Sequence, residues 1–212
     1  ESGDYERILK AQSGADSIVT TNLWVNPVYN ITENISIYEG ENYFGNTYPE
    51  LVRYFEQLER NLSLLDLGCG QGRDVLTFGR MGFNVTGIDL SSVGIEQLNN
   101  IAIKEGLDVK GFVGDLKSVN NIEEYDIVLM NSMFHFYKSD IEEETNTLNN
   151  ILNQIKVGGR LVAIVQENKQ RVKYLKEVIQ KSDFTYEIEH KESFIYTEFN
   201  SRFYIIASKR VL

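Results

Sequence analysis

Cysteine is nearly missing from this chain: Cys69 is the only one among 212 residues. No disulfide can form within the chain, and a zinc site built from its cysteines is equally excluded. Long apolar runs are absent too, so no stretch reads as a membrane span. Basic charge is in deficit. The net charge of -10 sets the chain against a phosphate backbone, and nucleic acid is not an expected partner. The lysines and arginines are scattered, and the small groups at Lys169–Lys173 and Lys209-Arg210 read as a solvated helix face and a chain end. Glu1-Ser2-Gly3-Asp4-Tyr5 carries no basic region leading into an apolar run, so it does not read as a signal peptide. The expectation is a cytoplasmic protein, without a membrane partner, working as a monomer or homodimer. Internal repeats and low-complexity tracts are also lacking.

What the chain does have is a distinctive turn. Leu64-Leu65-Asp66-Leu67 is an apolar run closed by an acid, and Gly68-Cys69-Gly70-Gln71-Gly72 follows it with glycine at alternate positions. A buried strand, a tight turn and a helix start are the natural reading. Such a turn brings bare backbone and a helix N-terminus up to a ligand. The dinucleotide fingerprint G-x-G-x-x-G needs glycine where Arg73 stands, which counts against a nicotinamide cofactor.

From about Leu62 onward, strand-like and helix-like segments alternate, the pattern of a parallel sheet with crossover helices. The expected strands are Leu64–Leu67, Val85–Asp89, Val109–Val113, Tyr125–Met130, Arg160–Val165, Phe184–Tyr196 and Arg202–Ser208. Only a few residues separate the last two, so they form a hairpin, and one strand of the sheet runs antiparallel. Ser91 or Ser92 caps the helix that ends at Gly106. Ser139-Asp140-Ile141-Glu142 predicts a capping box, and Thr47-Tyr48-Pro49-Glu50 a capped helix start from about residue 47. The division is therefore a cap over 1–60, rich in Trp24, Tyr29, Tyr38, Tyr43 and Phe44, and a main domain over 61–212.

In an open parallel sheet, ligands bind beyond the carboxyl ends of the strands. Those ends carry Asp66 to Gly72, Asp89-Leu90, Gly114-Asp115-Leu116, Asn131 to His135, and Gln166-Glu167-Asn168. The glycine turn, Gly87-Ile88-Asp89-Leu90-Ser91, Gly114-Asp115-Leu116, Tyr125-Asp126-Ile127-Val128 and Val157-Gly158-Gly159-Arg160-Leu161 together resemble the class I S-adenosylmethionine-dependent methyltransferases. Gln71-Gly72-Arg73, with Tyr43-Phe44-Gly45 upstream, is most similar to the tellurite-resistance and thiol methyltransferase type. The resemblance spans roughly Leu62 to Leu212 and implies a Rossmann-like three-layer α/β sandwich on a seven-stranded, mostly parallel sheet.

It also implies roles. Gly68, Cys69 and Gly70 would pass their backbone beside the amino-acid moiety of S-adenosylmethionine. Asp66 would take its ammonium group or cap the turn. Asp89, with Leu90, would meet the ribose, and Asp115 and Leu116 the adenine. Asn131 and Ser132 would stand near the methionine part. His135 and Tyr43 are the candidate catalytic residues: His135 either takes a proton from the nucleophile or packs among Phe134, Phe136 and Tyr137. Asp126 is read as structural and Cys69 as a small apolar filler. After strand four the chain reads Asn131-Ser132-Met133-Phe134, unlike the proline-bearing motif of amino-methylating DNA enzymes. Neither a magnesium site nor another metal site is expected. The implied activity is methyl transfer to a small-molecule nucleophile by in-line displacement. The alternatives are a non-catalytic cofactor-binding module and a protein methyltransferase.

Overall fold

Strand residues in the middle of this sheet are apolar on both sides, and their alternation sorts them between two cores. The computed structural model describes residues 44–198 and 200–212, and Phe44–Leu212 forms one unit. The elements run α1 (Pro49–Phe55), β1 (Ser63–Leu67), α2 (Arg73–Arg80), β2 (Asn84–Asp89), α3 (Ser92–Glu105), β3 (Val109–Val113), β4 (Ile127–Asn131), α4 (Ile141–Gln154), β5 (Arg160–Gln166), α5 (Lys169–Lys181), β6 (Tyr186–Tyr196) and β7 (Ser201–Arg210). They build a seven-stranded sheet in the order β3-β2-β1-β4-β5-β7-β6. All pairings are parallel except those of β7, which runs antiparallel to both β5 and β6. The expected fold class is observed.

Leu64, Ile127, Leu129, Val162, Ile164, Ile205 and Ala207 face one core with α1, α2 and α3. Leu65, Leu67, Val128, Met130, Leu161, Ala163, Val165 and Ile206 face the other with α4 and α5. Period 2 places Asp66 on the same side as Leu64, facing α2.

Helix α1 packs into the first core through Tyr48, Leu51, Tyr54 and Phe55, and the Phe55 ring stacks on Phe78 at 3.9 Å between centroids. Residues 44–60, assigned to the cap by the sequence, thus belong to the main unit. Trp24, Tyr29, Tyr38 and Tyr43 lie outside the described residues. Two caps also differ from expectation. The N-cap of α1 is Tyr48, without a side-chain bond, because the Thr47 hydroxyl is instead engaged with the Arg73 carbonyl and the Thr77 hydroxyl. The N-cap of α4 is Asp140, again without a capping bond from its side chain, so the box from Ser139 to Glu142 is not made. Ser91 does cap α3, accepting from the Gly94 N–H, and Gly106 closes that helix in left-handed conformation.

Both edges of the sheet are guarded. On β3 the Asn99 side-chain amide donates to the Gly111 carbonyl at 3.0 Å and accepts the Gly111 N–H at 2.8 Å. It occupies the groups a further strand would use. On β6 a register shift between Ile188 and His190 and the charged residues Glu187, Glu189, Lys191 and Glu192 do the same work. Asn99→Ala removes the first guard. It should cost about 1 kcal/mol for each lost hydrogen bond, read as a lower urea midpoint, and light scattering should show more concentration-dependent association than in the wild type.

Candidate active site

The carboxyl ends of β1, β2 and β4 meet where the strand order reverses, the place where open α/β sheets bind ligands. Three glycines set the turn there. Gly68, Gly70 and Gly72 adopt φ values of 83°, 57° and 84°, a region costly for residues with a Cβ. The Gly68 and Cys69 N–H groups both donate to the Ile88 carbonyl at the end of β2. Close approach matters as much as φ. A Cβ on Gly94 would lie 2.7 Å from the Gly70 carbonyl oxygen, so α3 starts against the turn only because residue 94 is glycine.

Asp89 is fixed by the same turn. One carboxylate oxygen accepts the Gly70 N–H and the other the Ser91 N–H, both at 2.8 Å. Its side chain is therefore oriented before any ligand arrives, and Ser91 is left to cap α3. Leu90, next in sequence, is exposed. Asp115 accepts from the Lys117 N–H at the start of the short 3-10 turn Leu116–Ser118. A groove of about 440 Å³ runs between that turn and α4, sharing only Leu116 with the candidate residues. It lacks the glycine turn and the carboxylates at the strand ends, so it is not the site.

Beneath the turn lies a buried charge cluster that the sequence reading missed. Arg73 forks onto Asp74, Nε to Oδ1 at 3.0 Å and Nη2 to Oδ2 at 2.9 Å. Asn131 Nδ2 donates to Asp74 Oδ2 at 2.7 Å, and Ser132 Oγ donates to Asn131 Oδ1 at 3.1 Å. Burial and the neighbouring carboxylates of Asp74 and Asp89 push the Asp66 carboxyl well above the ordinary range. Asp74, equally buried, is held below that range by Arg73 and Asn131. Arg73 thus neutralises one acid and leaves Asp66 without a paired cation of its own among the described residues. Burial raises the Cys69 thiol, and its sulfur packs over Gly87, so the residue is the filler the sequence suggested.

Beyond β4 the chain passes through two left-handed non-glycine residues, Ser132 at φ 61° and Phe136 at 48°. Such strain persists only where surroundings impose it. Here Glu144 accepts the His135 N–H at 3.0 Å and the Phe136 N–H at 2.5 Å, while the buried Arg171 donates to the His135 carbonyl at 2.8 Å. The acids in the first turn of α4 are put to separate uses, Glu144 holding this loop and Glu143 pairing with Lys117. The His135 ring stacks on Tyr137, and burial, with the Arg171 charge, lowers its pKa. Packing is accordingly a real part of its role, and its neutral form is favoured. Phe134 and Phe136 sit in the second core. Asp126 lies at the far end of the sheet, where it accepts the Ser63 N–H and pairs with Lys156. The residues brought together are Asp66, Gly68, Cys69, Gly70, Asp89, Asn131 and Ser132. Tyr43 lies outside the described residues.

This fold, with Asp66 near the end of β1, a glycine turn and Asp89 closing β2, is the fold of solved S-adenosylmethionine-dependent methyltransferases. The family model of the tellurite resistance protein TehB matches residues 37–174. The chain belongs to the TehB family. It is 33% identical over 124 residues to a probable S-adenosyl-L-methionine-dependent methyltransferase TehB of Haemophilus influenzae, a match covering 56% of this chain and 43% of that protein. A shorter match, 38% over 72 residues, is to an EEF1A lysine methyltransferase 2 of Danio rerio and covers 32% of this chain and 31% of that protein. The chain spans less than half the length of these curated relatives. Among solved structures, a methyltransferase from Methanosarcina mazei aligns with a TM-score of 0.63 at 18% identity, over 79% of this chain and 99% of that one. A 1,6-didemethyltoxoflavin-N1-methyltransferase from Burkholderia thailandensis, with its substrate and S-adenosylhomocysteine bound, aligns with a TM-score of 0.64 at 19% identity over 77% of each chain.

The Asp66 environment gives a pH test. A carboxyl whose folded pKa is raised costs nothing below the unfolded value of about 4, and penalises the folded state as pH rises through the folded pKa. Asp66→Asn should therefore match the wild type near pH 4 and gain over it as pH climbs to 8. The gain should appear as a melting temperature higher by roughly 2–4 °C, about what 1 kcal/mol yields in a chain of this size.

Proposed function

We propose that this protein transfers a methyl group from S-adenosylmethionine to a small-molecule nucleophile. The carrying observation is the glycine turn at the sheet's switch point, with the oriented Asp89 carboxylate on one side and the cation-poor Asp66 on the other. The residues fit the cofactor. Gly68 and Gly70 present backbone with no Cβ, and the groups lying over them are the movable side chains of Met133 and Phe44. Asp66 suits an ammonium group. Asp89 keeps lone pairs for a ribose diol after accepting its two N–H bonds. Leu90 offers an exposed apolar face, and Asp115 and Leu116 would bound the adenine end. Asn131 and Ser132 would face the methionine part.

When bound, the cofactor supplies a methyl group already activated on sulfur. This chain's residues then have modest tasks: holding the nucleophile, excluding water and, where needed, taking a proton. His135 is the candidate for the proton, since burial and Arg171 keep it neutral. A small acceptor is supported by the -10 net charge and by relatives named for small molecules, among them the ubiquinone biosynthesis O-methyltransferase of Rickettsia prowazekii. The single buried cysteine suits a reducing cytoplasm.

Calorimetry with S-adenosylmethionine and S-adenosylhomocysteine, with NAD as control, tests the reading. Both sulfur ligands should bind and NAD should not. Asp89→Ala should weaken binding at least about tenfold, the scale of one hydrogen bond to a charged group. Failure of the folded protein to bind either sulfur ligand would refute the reading. Once an acceptor is found, beginning with thiols and metalloid oxyanions, the acid limb of the rate profile should have its midpoint below the ordinary histidine value of about 6.5, because burial and Arg171 lower the His135 pKa. His135→Gln should abolish that limb, and a limb that survives unchanged would exclude His135 as the base.

A further inference from the structure

Five side chains form a contact network beside the glycine turn. Arg73 forks onto Asp74, Asp74 accepts from Asn131, and Asn131 accepts from Ser132. The Tyr48 side chain joins it through the Arg73 guanidinium, which lies 4.7 Å from the Tyr48 ring centre. The network joins three distant pieces of chain: the strap of residues 44–48, the first turn of α2 and the end of β4.

The strap has further anchors. Arg73 Nη1 donates to the Phe44 carbonyl at 3.2 Å. Tyr196 accepts the Asn46 N–H at 3.0 Å, and Asn46 Nδ2 donates to Glu198 at 2.9 Å, so the tip of the β6–β7 hairpin grips the same segment. The strap also bears on the turn. The Phe44 ring lies so close to Gly70 that a Cβ there would come within 2.9 Å of it, and Met133, one residue beyond Ser132, covers Gly68 in the same way. A molecule seated on the backbone from Gly68 to Gly70 must therefore meet Phe44 and Met133 together, one from each end of the network.

We propose that Arg73 is a positioning residue that couples occupancy of the glycine turn to the pose of both the 44–48 strap and Asn131-Ser132. The proposal rests on the methyltransferase reading only for the identity of the occupant. Arginine suits the task because one planar group serves all its partners at once: two donors to Asp74, one to Phe44 and a flat face to Tyr48. Lysine offers the charge without the fork.

Hydrogen-exchange mass spectrometry on the wild type, R73K and the double variant R73M/D74N tests this, each with and without S-adenosylhomocysteine. The double variant is used because losing Arg73 alone strands the buried Asp74 carboxylate. In the wild type, the ligand should slow exchange over 44–48 and over 131–133. In R73M/D74N without ligand, both segments should exchange at least about tenfold faster than in the wild type. The ligand should no longer slow the strap, and its affinity should fall about tenfold, within the usual range of site-to-site coupling. R73K should recover melting temperature more fully than strap protection. A wild type that binds the ligand with no change at 44–48 would overturn the proposal, as would a variant that loosens one segment and leaves the other untouched. If the wild type fails to bind S-adenosylhomocysteine, the functional reading falls instead, and the ligand-free comparison of the two segments still decides the role of Arg73.

Discussion

The ion pair between Arg73 and Asp74 carries the architecture of this site. Two neighbouring residues on the first turn of a helix seldom bind each other so closely, yet here the guanidinium folds back to meet both oxygens of its neighbour. The reason is burial. Asp74 faces β1 and lies against Asp66, in a region where an uncompensated charge costs several kcal/mol. With its charge matched by Arg73, Asp74 can accept from Asn131 and hold the end of β4. With its donors spent on Asp74 and Phe44, Arg73 can place its flat face against Tyr48 and hold the start of the domain.

The same economy leaves Asp66 exposed to a different fate. Three carboxylates, Asp66, Asp74 and Asp89, converge on one glycine turn, and one guanidinium answers them. Such a surplus of negative charge is unfavourable in the free protein and favourable once a cation enters. Under the proposed function, the site gives up stability in the free protein and suits a ligand that brings positive charge, the opposite of the anion-binding turns that glycine-rich loops usually form. The acceptor Asp89 is already aligned by the Gly70 and Ser91 N–H groups, so little ordering remains when a ligand arrives.

Most of the sheet was legible in the chain. Apolar runs such as Ile127–Met130 and Leu161–Val165 report strands buried on both faces, and the short link between the last two strands fixed their antiparallel pairing. The turn glycines and Asp89 were legible because backbone geometry demands those residue types at those spacings. Helix caps were less so: Thr47 and Ser139 look like caps locally, but tertiary partners for Thr47 and the course of the loop before α4 decide otherwise. Arg73 was noticed as an absent glycine and as part of Gln71-Gly72-Arg73, but not for its contacts. Its partners Phe44, Tyr48 and Asn131 are separated from it by the fold, and no periodicity links them. Glu144 and Arg171 were hidden for the same reason, since an acid in a first helical turn and a base in a lysine-rich helix both pass for solvated residues.

The amide of Asn99 closing the open side of Gly111 has a consequence for how the domain assembles. That side chain belongs to α3, so the outer strand β3 finds its last hydrogen-bond partners in the crossover helix that precedes it in the chain. Strand and helix are then one cooperative unit: β3 cannot dock with all its polar groups satisfied until α3 has formed, and unwinding α3 would release the strand. The free edge of the sheet is sealed by local sequence, which lets the element completing the sheet on that side arrive together with its own cover.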